Sequence, residues 1–354
     1  MVEKGGVGIP QAAYRTDRSY AWNYGRSPAL PRIRRLPRGP GARLFGRRLD
    51  SPLGIAAGPL LNAKWVEAYA RLGFDVLTYA TVRSTFAPAW ALPNIRAVET
   101  REEVAVVSRR PGANLTFAVS LGMPSMEPEV WRKDVRRAKE RIGAGQLLIV
   151  SVVGTPVPAG IPESFIDDYA RCAGWAAEAG ADAIEVHLAC PDPFAEPPQQ
   201  VYENVLLAAQ ILHRVRTTVK VPVLAKLGLF RTPRALHDTA TKLAPWASGF
   251  VLSHGLPRRV IDEEGGAAFE GRERATVVGA DTFPITSRQI AELLSWRKAG
   301  AWDRAVLAVG GVTTVERARG LLREGADAVM VATAALWDPT FAARFRQERA
   351  SAVA

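Results

Sequence analysis

The sequence predicts an α/β protein folded as a (β/α)8 barrel, the TIM barrel, and three observations carry that prediction. From Pro52 onward, short apolar runs alternate with amphipathic segments of helical period, the pattern of βα units on a parallel sheet. The runs number eight, and each is followed by a helical segment. They are continuously apolar rather than alternating, which fits strands buried on both faces. A doubly wound sheet would use similar units, but no GxGxxG follows an early strand.

Residues 1–48 are rich in Arg, Pro and Gly with little hydrophobic period, and read as a basic N-terminal extension wrapping a barrel domain of residues 49–354. The first strand is PLGIAAG at 52–58, followed by a helix from Asn62 through Arg71. FDVLTYA at 74–80 is the second strand. An excursion then carries NIRAV and EVAVV, a small hairpin insertion, and ends at SLGMPSM before an amphipathic helix from Val130 to Ile142. QLLIVSVVG at 146–154 is the third strand, with its helix at Ile161–Ala179. ADAIEVHLAC at 181–190 is the fourth, entering the Pro-rich loop PDPFAEPPQQ before a helix from Val201 to Thr217. PVLAKLG at 222–228 is the fifth; Thr232 as N-cap and Pro233 at the first helical position open the helix to Leu243. GFVLSHG at 249–255 is the sixth, followed by a Gly- and charge-rich loop insertion over 256–284 and a helix from Ile285 to Ala299. AVLAVGG at 305–311 and ADAVMVAT at 326–333 are the seventh and eighth, with helices from Thr314 to Glu324 and from Pro339.

Composition narrows the function classes. The chain is 48% hydrophobic and 23% charged, ordinary for a globular protein. Its two cysteines, Cys172 and Cys190, exclude a disulfide framework and read as reduced thiols of a cytoplasmic protein. No apolar stretch reaches the roughly 18 residues of a membrane span, and the first 20 residues lack the apolar core of a secretory signal. A membrane is therefore not an expected partner. The net charge of +11 is spread along the chain without interleaved aromatics, so it reads as a solvated basic surface favouring small anions rather than nucleic acid.

In a barrel of this kind the active site lies at the C-terminal ends of the strands, with phosphate beyond strands seven and eight. The seventh run ends in Gly310-Gly311 and the eighth in Ala332-Thr333, small residues whose backbone N–H groups can approach a phosphate closely. Lys226 stands inside an apolar strand and must find either an electron-rich ligand or a carboxylate such as Glu185, since an unpaired buried charge is costly. Cys190 follows the fourth strand, where a thiol over a cofactor can act as general base. His187 and His254 sit at strand ends, as substrate contacts or as satisfied core histidines. No set of His, Cys and carboxylates has metal-ligand spacing, so no metal is expected.

Taken in order, PLGIAAG…NAKW, SLGMPSM, AGADAIEVHLACPDP, VLAKLG, LAVGGV and VATAAL resemble the dihydroorotate dehydrogenase family over about residues 50–345. The resemblance implies an FMN-dependent oxidoreductase acting on a CH–CH bond of a small cyclic substrate, with hydride moving to or from flavin N5. It implies that Ala56, Ala57, Gly58 and Ser151 lie against the flavin ring, that Lys226 faces its N1–O2 region, and that Ser253, Gly255 and Gly279 line its flank. Gly310, Gly311, Ala332 and Thr333 would hold the phosphate. Cys190 matches the catalytic base of the soluble class, where the membrane-associated class has serine. Asn62, Ser120, His187, Asp192 and His254 fall at the substrate side. A homodimer is implied by the same likeness; the electron acceptor is left open.

The departures concern the substrate. Where the family places asparagines, this chain has Val119, His187, Asp192 and Leu252, and Tyr79 stands near the position of a soluble-class lysine. Asparagine supplies both a donor and an acceptor to a pyrimidine edge; valine and leucine supply neither. The cofactor half is kept and the substrate half rewritten, which points to a different small heterocycle or an activated alkene. Two alternatives share the fold: a tRNA-dihydrouridine-type flavoenzyme, and a non-catalytic barrel serving as a binding or partner subunit.

Overall fold

The computed structural model describes residues 13–31, 36, 41–108, 115–157 and 160–351. Helix α1 (Tyr20–Tyr24) precedes a hairpin of β1 (Ala42–Leu44) and β2 (Arg47–Leu49), then β3 (Leu53–Leu60), α2 (Ala63–Arg71) and β4 (Val76–Val82). Next come β5 (Ile95–Arg101), β6 (Val104–Val107), β7 (Thr116–Val119), α3 (Pro128–Arg141), β8 (Leu147–Val152), α4 (Pro162–Glu178) and β9 (Ala183–His187). The chain continues through α5 (Val205–Thr218), β10 (Val223–Leu227), α6 (Pro233–Leu243), β11 (Gly249–Leu252), β12 (Leu256–Ile261) and β13 (Arg274–Gly279). It ends with α7 (Phe283–Lys298), β14 (Ala305–Val309), α8 (Val315–Glu324), β15 (Ala328–Val331), α9 (Thr333–Trp337) and α10 (Phe341–Ser351).

Strands β3, β4, β8, β9, β10, β11, β14 and β15 close into an eight-stranded barrel with every neighbouring pair parallel. All eight expected strands are present in the expected order. Both faces of each strand are apolar, as inward residues such as Leu147, Ile149, Ala183 and Leu224 fill the lumen. The alternate residues Leu148, Val150, Ile184 and Val223 pack under the helices. That two-sided burial is why the strands read as unbroken apolar runs.

The hairpin of β1 and β2 closes the lower end of the lumen. Its turn, Phe45-Gly46, has φ of 51° and 78°, the left-handed pair that a two-residue hairpin turn requires. Leu44 and Leu49 are buried in one cluster with the lumen residues Val76, Ala328 and Met330, and Phe45 packs against it. Helix α1 is tied to α2 instead: the Trp65 indole donates to the Arg26 carbonyl (3.0 Å) and the Asn62 amide to the Tyr24 carbonyl (2.6 Å).

The expected hairpin of NIRAV and EVAVV is β5 paired antiparallel with β6, but it does not stand alone. Strand β7 and the two strands β12 and β13 of the 256–284 insertion join it in a second closed sheet, ordered β12-β13-β7-β5-β6. This corrects the reading of that insertion as loop. The pairing partners, Val277 with Ala118 and Arg259 with Val104, are too distant in sequence for periodicity to connect. The small sheet has its own core, centred on Val98, Val260, Phe269 and Val277. It leaves the barrel after β4 and β11, so it stands at the C-terminal ends of the strands. No helix among the described residues is long and apolar enough to cross a membrane.

The plug is testable. Leu49→Ala removes a side chain 1% exposed and should cost about 2–5 kcal/mol, read as a lower urea midpoint. Arg48→Ala, on the exposed side of the same strand, should change it by less than about 0.5 kcal/mol.

Candidate active site

The barrel strands turn from apolar to polar at their C-terminal ends. Along the inward face, β8 runs from Leu147 and Ile149 to Ser151, β9 from Ala183 to Glu185 and His187, and β10 from Leu224 to Lys226. The parallel register sets Ser151 beside Glu185 and His187 beside Lys226. Four polar side chains thus form one layer on a dry floor, and the Thr81 hydroxyl adds a bond to Ser151 Oγ at 3.0 Å.

Lys226 and Glu185 are 3% and 1% exposed, and Lys226 Nζ donates to Glu185 Oε1 at 3.2 Å. The carboxylate weighed for Lys226 in the sequence is therefore its partner, and it takes one of the three ammonium donors. His187 stacks edge-on against His254 with ring centroids 4.8 Å apart. Burial first, then the neighbouring imidazole and the Lys226 and Arg83 cations, hold His187 far below the ordinary histidine range. His254 is pushed down to about 3 by burial and by Lys226. Both rings are neutral at physiological pH, so each offers one donor and one acceptor. Both nitrogens of His187 are buried without a protein partner, as are the hydroxyls of Ser120 and Ser253.

Cys190 follows β9 and is 3% exposed. Its Sγ lies 3.3 Å from the Tyr169 hydroxyl, which donates to the His187 carbonyl at 2.9 Å. Burial pushes the thiol up to about 11, against smaller opposing pulls from the Tyr169 hydrogen bond and the Arg83 cation. At neutral pH this sulfur keeps its proton. Cys172 is buried in α4 and higher still, mainly through burial.

Across the barrel, Gly310 and Gly311 end β14 with φ of 116° and 69°. A Cβ on Gly311 would come within 2.4 Å of the Phe283 amide nitrogen, so the turn admits only glycine. Ala332 and Thr333 open α9, which has no side-chain cap. Ala56 is buried in the lumen, Ala57 half-buried and Gly58 exposed with open space where a side chain would stand. The small sheet packs closely at Gly255 and Gly279, where a Cβ on Gly279 would come within 1.9 Å of the Leu115 carbonyl oxygen.

Several expected residues take other places. Asn62 is the N-cap of α2, its Oδ1 accepting from Lys64 and Trp65 amides and its Nδ2 donating to Tyr24, so its amide is spent on the helix start. The Asp192 carboxylate is bonded within its own loop, to the Phe194 amide and Asn204 Nδ2, both at 3.0 Å. Tyr79 points out of the lumen and donates to Asp134 at 2.8 Å, so it does not stand in for a lysine at the mouth. Leu252 packs with the outer helix layer, and Val119 lies on β7 in the small sheet. Among residues not anticipated, Thr81 and Arg83 sit just past an apolar run, where the rule of strand ends could have found them. Tyr169, in mid-helix, carried no such signal. Among the described residues no cluster of three or more His, Cys, Asp or Glu could hold a metal ion.

No family model matches the chain. It is 30% identical over 305 residues to the catalytic subunit of dihydroorotate dehydrogenase B (NAD(+)) of Desulforudis audaxviator, covering 85% of this chain and 88% of that one. It is 28% identical over 323 residues to dihydroorotate dehydrogenase of Dictyostelium discoideum, covering 85% and 86%. With dihydroorotate dehydrogenase (quinone) of Deinococcus radiodurans the identity is 27% over 332 residues, covering 88% and 83%.

The buried ion pair sets an expectation. Lys226→Ala strands the Glu185 carboxylate and should cost about 3–5 kcal/mol in urea unfolding. The double variant Lys226→Met with Glu185→Leu should recover most of that, because neither charge is then left buried. A single variant as stable as wild type would contradict it.

Proposed function

The chain belongs to the dihydroorotate dehydrogenase family, and on that premise we propose that it is an FMN-dependent oxidoreductase acting on a CH–CH bond of a small cyclic substrate. The observation that carries the reading is the polar layer of Lys226, Glu185 and His187 at the top of a dry barrel, beside buried hydroxyls that have no protein partner. Buried polar atoms are ordinarily satisfied, so unpartnered groups converging on one mouth fit a ligand. The open space over Gly58 fits a planar ring against Ala56, Ala57 and Ser151.

FMN, when bound, supplies the two-electron acceptor or donor for the reaction. Lys226 would set its remaining donors against the electron-rich edge of the ring. Gly310, Gly311, Ala332 and Thr333 would take the phosphate through backbone amides and the Thr333 hydroxyl, with Ser253, Gly255 and Gly279 along the flank. His187, His254 and Ser120 would hold the substrate by hydrogen bonds, the neutral imidazoles each serving as donor or acceptor. That set of imidazoles and a hydroxyl differs from an asparagine-lined pocket.

Cys190 would exchange the proton at the carbon next to the one that exchanges hydride. A thiol pushed up to about 11 carries its proton at neutral pH, so it is set to donate during reduction. In oxidation only the thiolate can accept a proton. Its fraction grows about tenfold per pH unit below the thiol's pKa.

The test is anaerobic mixing of the flavin-loaded protein with dihydroorotate and a panel of related cyclic CH–CH compounds, followed by flavin bleaching. At least one compound should bleach it, at a rate that rises about tenfold per unit between pH 6 and 9 if the thiolate is the base. Cys190→Ala should slow the step by roughly 10²–10⁴-fold. Bleaching by dithionite alone, with no substrate effective, would contradict the proposal.

A further inference from the structure

Arg83 follows directly on β4 at the barrel mouth and belongs to none of the motifs above. Its main chain is fixed, the N–H donating to Ser125 Oγ and the carbonyl accepting from the Trp131 indole, each at 3.0 Å. Its guanidinium donates from Nε to the Met123 carbonyl at 3.2 Å and from Nη1 to the Gly154 carbonyl at 3.1 Å. Two carbonyls from different loops orient the planar group without neutralising it. Arg297 and Arg346 are paired with Asp327 and Asp75, whereas Arg272, like Arg83, is bonded to carbonyls, but at the small sheet rather than at the end of a barrel strand.

The charge reaches the reacting groups. Gly154 packs against the Tyr169 ring, so closely that a Cβ there would lie 2.6 Å away, and the Tyr169 hydroxyl touches Cys190 Sγ. Arg83 is among the causes that keep His187 neutral and that oppose the upward push on Cys190. The carboxylates on that wall are engaged elsewhere: Asp192 in its own loop, and Asp168 with the Thr155 amide and Arg171. The turn assigned to the flavin phosphate lies at β14 and β15, with β3 between β15 and β4 around the barrel.

We propose that Arg83 is a specificity-determining residue whose guanidinium receives an anionic substituent, a carboxylate or an equivalent oxyanion, on the ring substrate. A fixed, half-buried cation with no counterion among the described residues favours an anion strongly, and its planar fork suits a two-oxygen group. Recognition by charge would add to the hydrogen bonds that His187, His254 and Ser120 offer. The inference rests on reading the mouth as the substrate site, and its test needs no turnover.

The probes are orotate and uracil, the same ring with and without a carboxylate, bound to the flavin-loaded protein and followed by calorimetry. Wild type should bind orotate at least about tenfold tighter than uracil, and Arg83→Gln should weaken orotate by roughly 10- to 100-fold while leaving uracil unchanged. Arg83→Lys should restore part of the preference, since it returns the charge without the fork. Equal binding of both rings to wild type, binding of neither, or an Arg83→Gln variant that weakens both alike would overturn the proposal. The wild-type comparison decides even where a variant folds poorly. Flavin content, read separately by absorbance, reports on the oxidoreductase reading and leaves the calorimetric ratio to report on Arg83.

Discussion

An ammonium group inside a barrel lumen constrains everything around it. Lys226 is 3% exposed and would be prohibitively costly alone. Glu185 on the neighbouring strand accepts one of its protons, so the charge is held on the inner wall rather than expelled to solvent. A second protonated base nearby would repel it, and both His187 and His254 are kept neutral by burial and by that same cation. Below, the lumen must stay dry for the pair to persist as a fixed dipole, and the β1–β2 hairpin supplies the stopper through Leu44 and Leu49. The result is a mouth that holds a fixed, internally balanced ion pair, of low polarity beneath and hydrogen-bonding above. Such a site strengthens the electrostatic effect of every group in it.

The small five-stranded sheet is the other half of the design. Its strands come from two excursions far apart in sequence, each leaving a barrel strand at its C-terminal end. Gly279 lets β13 lie against the Leu115 carbonyl, and Phe117 meets Trp337 of α9 at 5.9 Å. Those contacts fix the sheet to the side of the barrel that carries Thr333. Ser120, at the end of β7, and His254, just before β12, are thereby held by one sheet although they come from separate parts of the chain. A cover built this way positions its side chains on a scaffold of strands rather than on free loops.

Much of this was legible in the sequence. Eight apolar runs gave the barrel because strands buried on both faces need nothing else, and Lys226 declared itself as a charge inside one of them. Cys190, His187 and His254 could be placed at strand ends because the fold dictates where those ends go. Beyond its β5–β6 hairpin the small sheet was not legible: its strands are as short as four residues, and the pairing that closes it depends on partners more than a hundred positions away. Asn62 was misread because helix capping and ligand binding ask for the same side chain, and only the structure shows its amide spent on Lys64, Trp65 and Tyr24. Tyr79 shows a subtler limit. One residue of register reverses which face a strand residue presents, and here it turns the ring out toward Asp134. Arg83 was within reach of the strand-end rule yet carried no motif to single it out.

The most direct measurement is the absorbance spectrum of the purified protein, with the chromophore released by denaturation and identified. Flavin bands arising from one FMN per chain are the expected result, because the polar layer around Lys226 and the Gly310-Gly311 turn are read as its two holds. A protein that stays colourless after incubation with FMN would contradict the central claim that this mouth is built for a flavin.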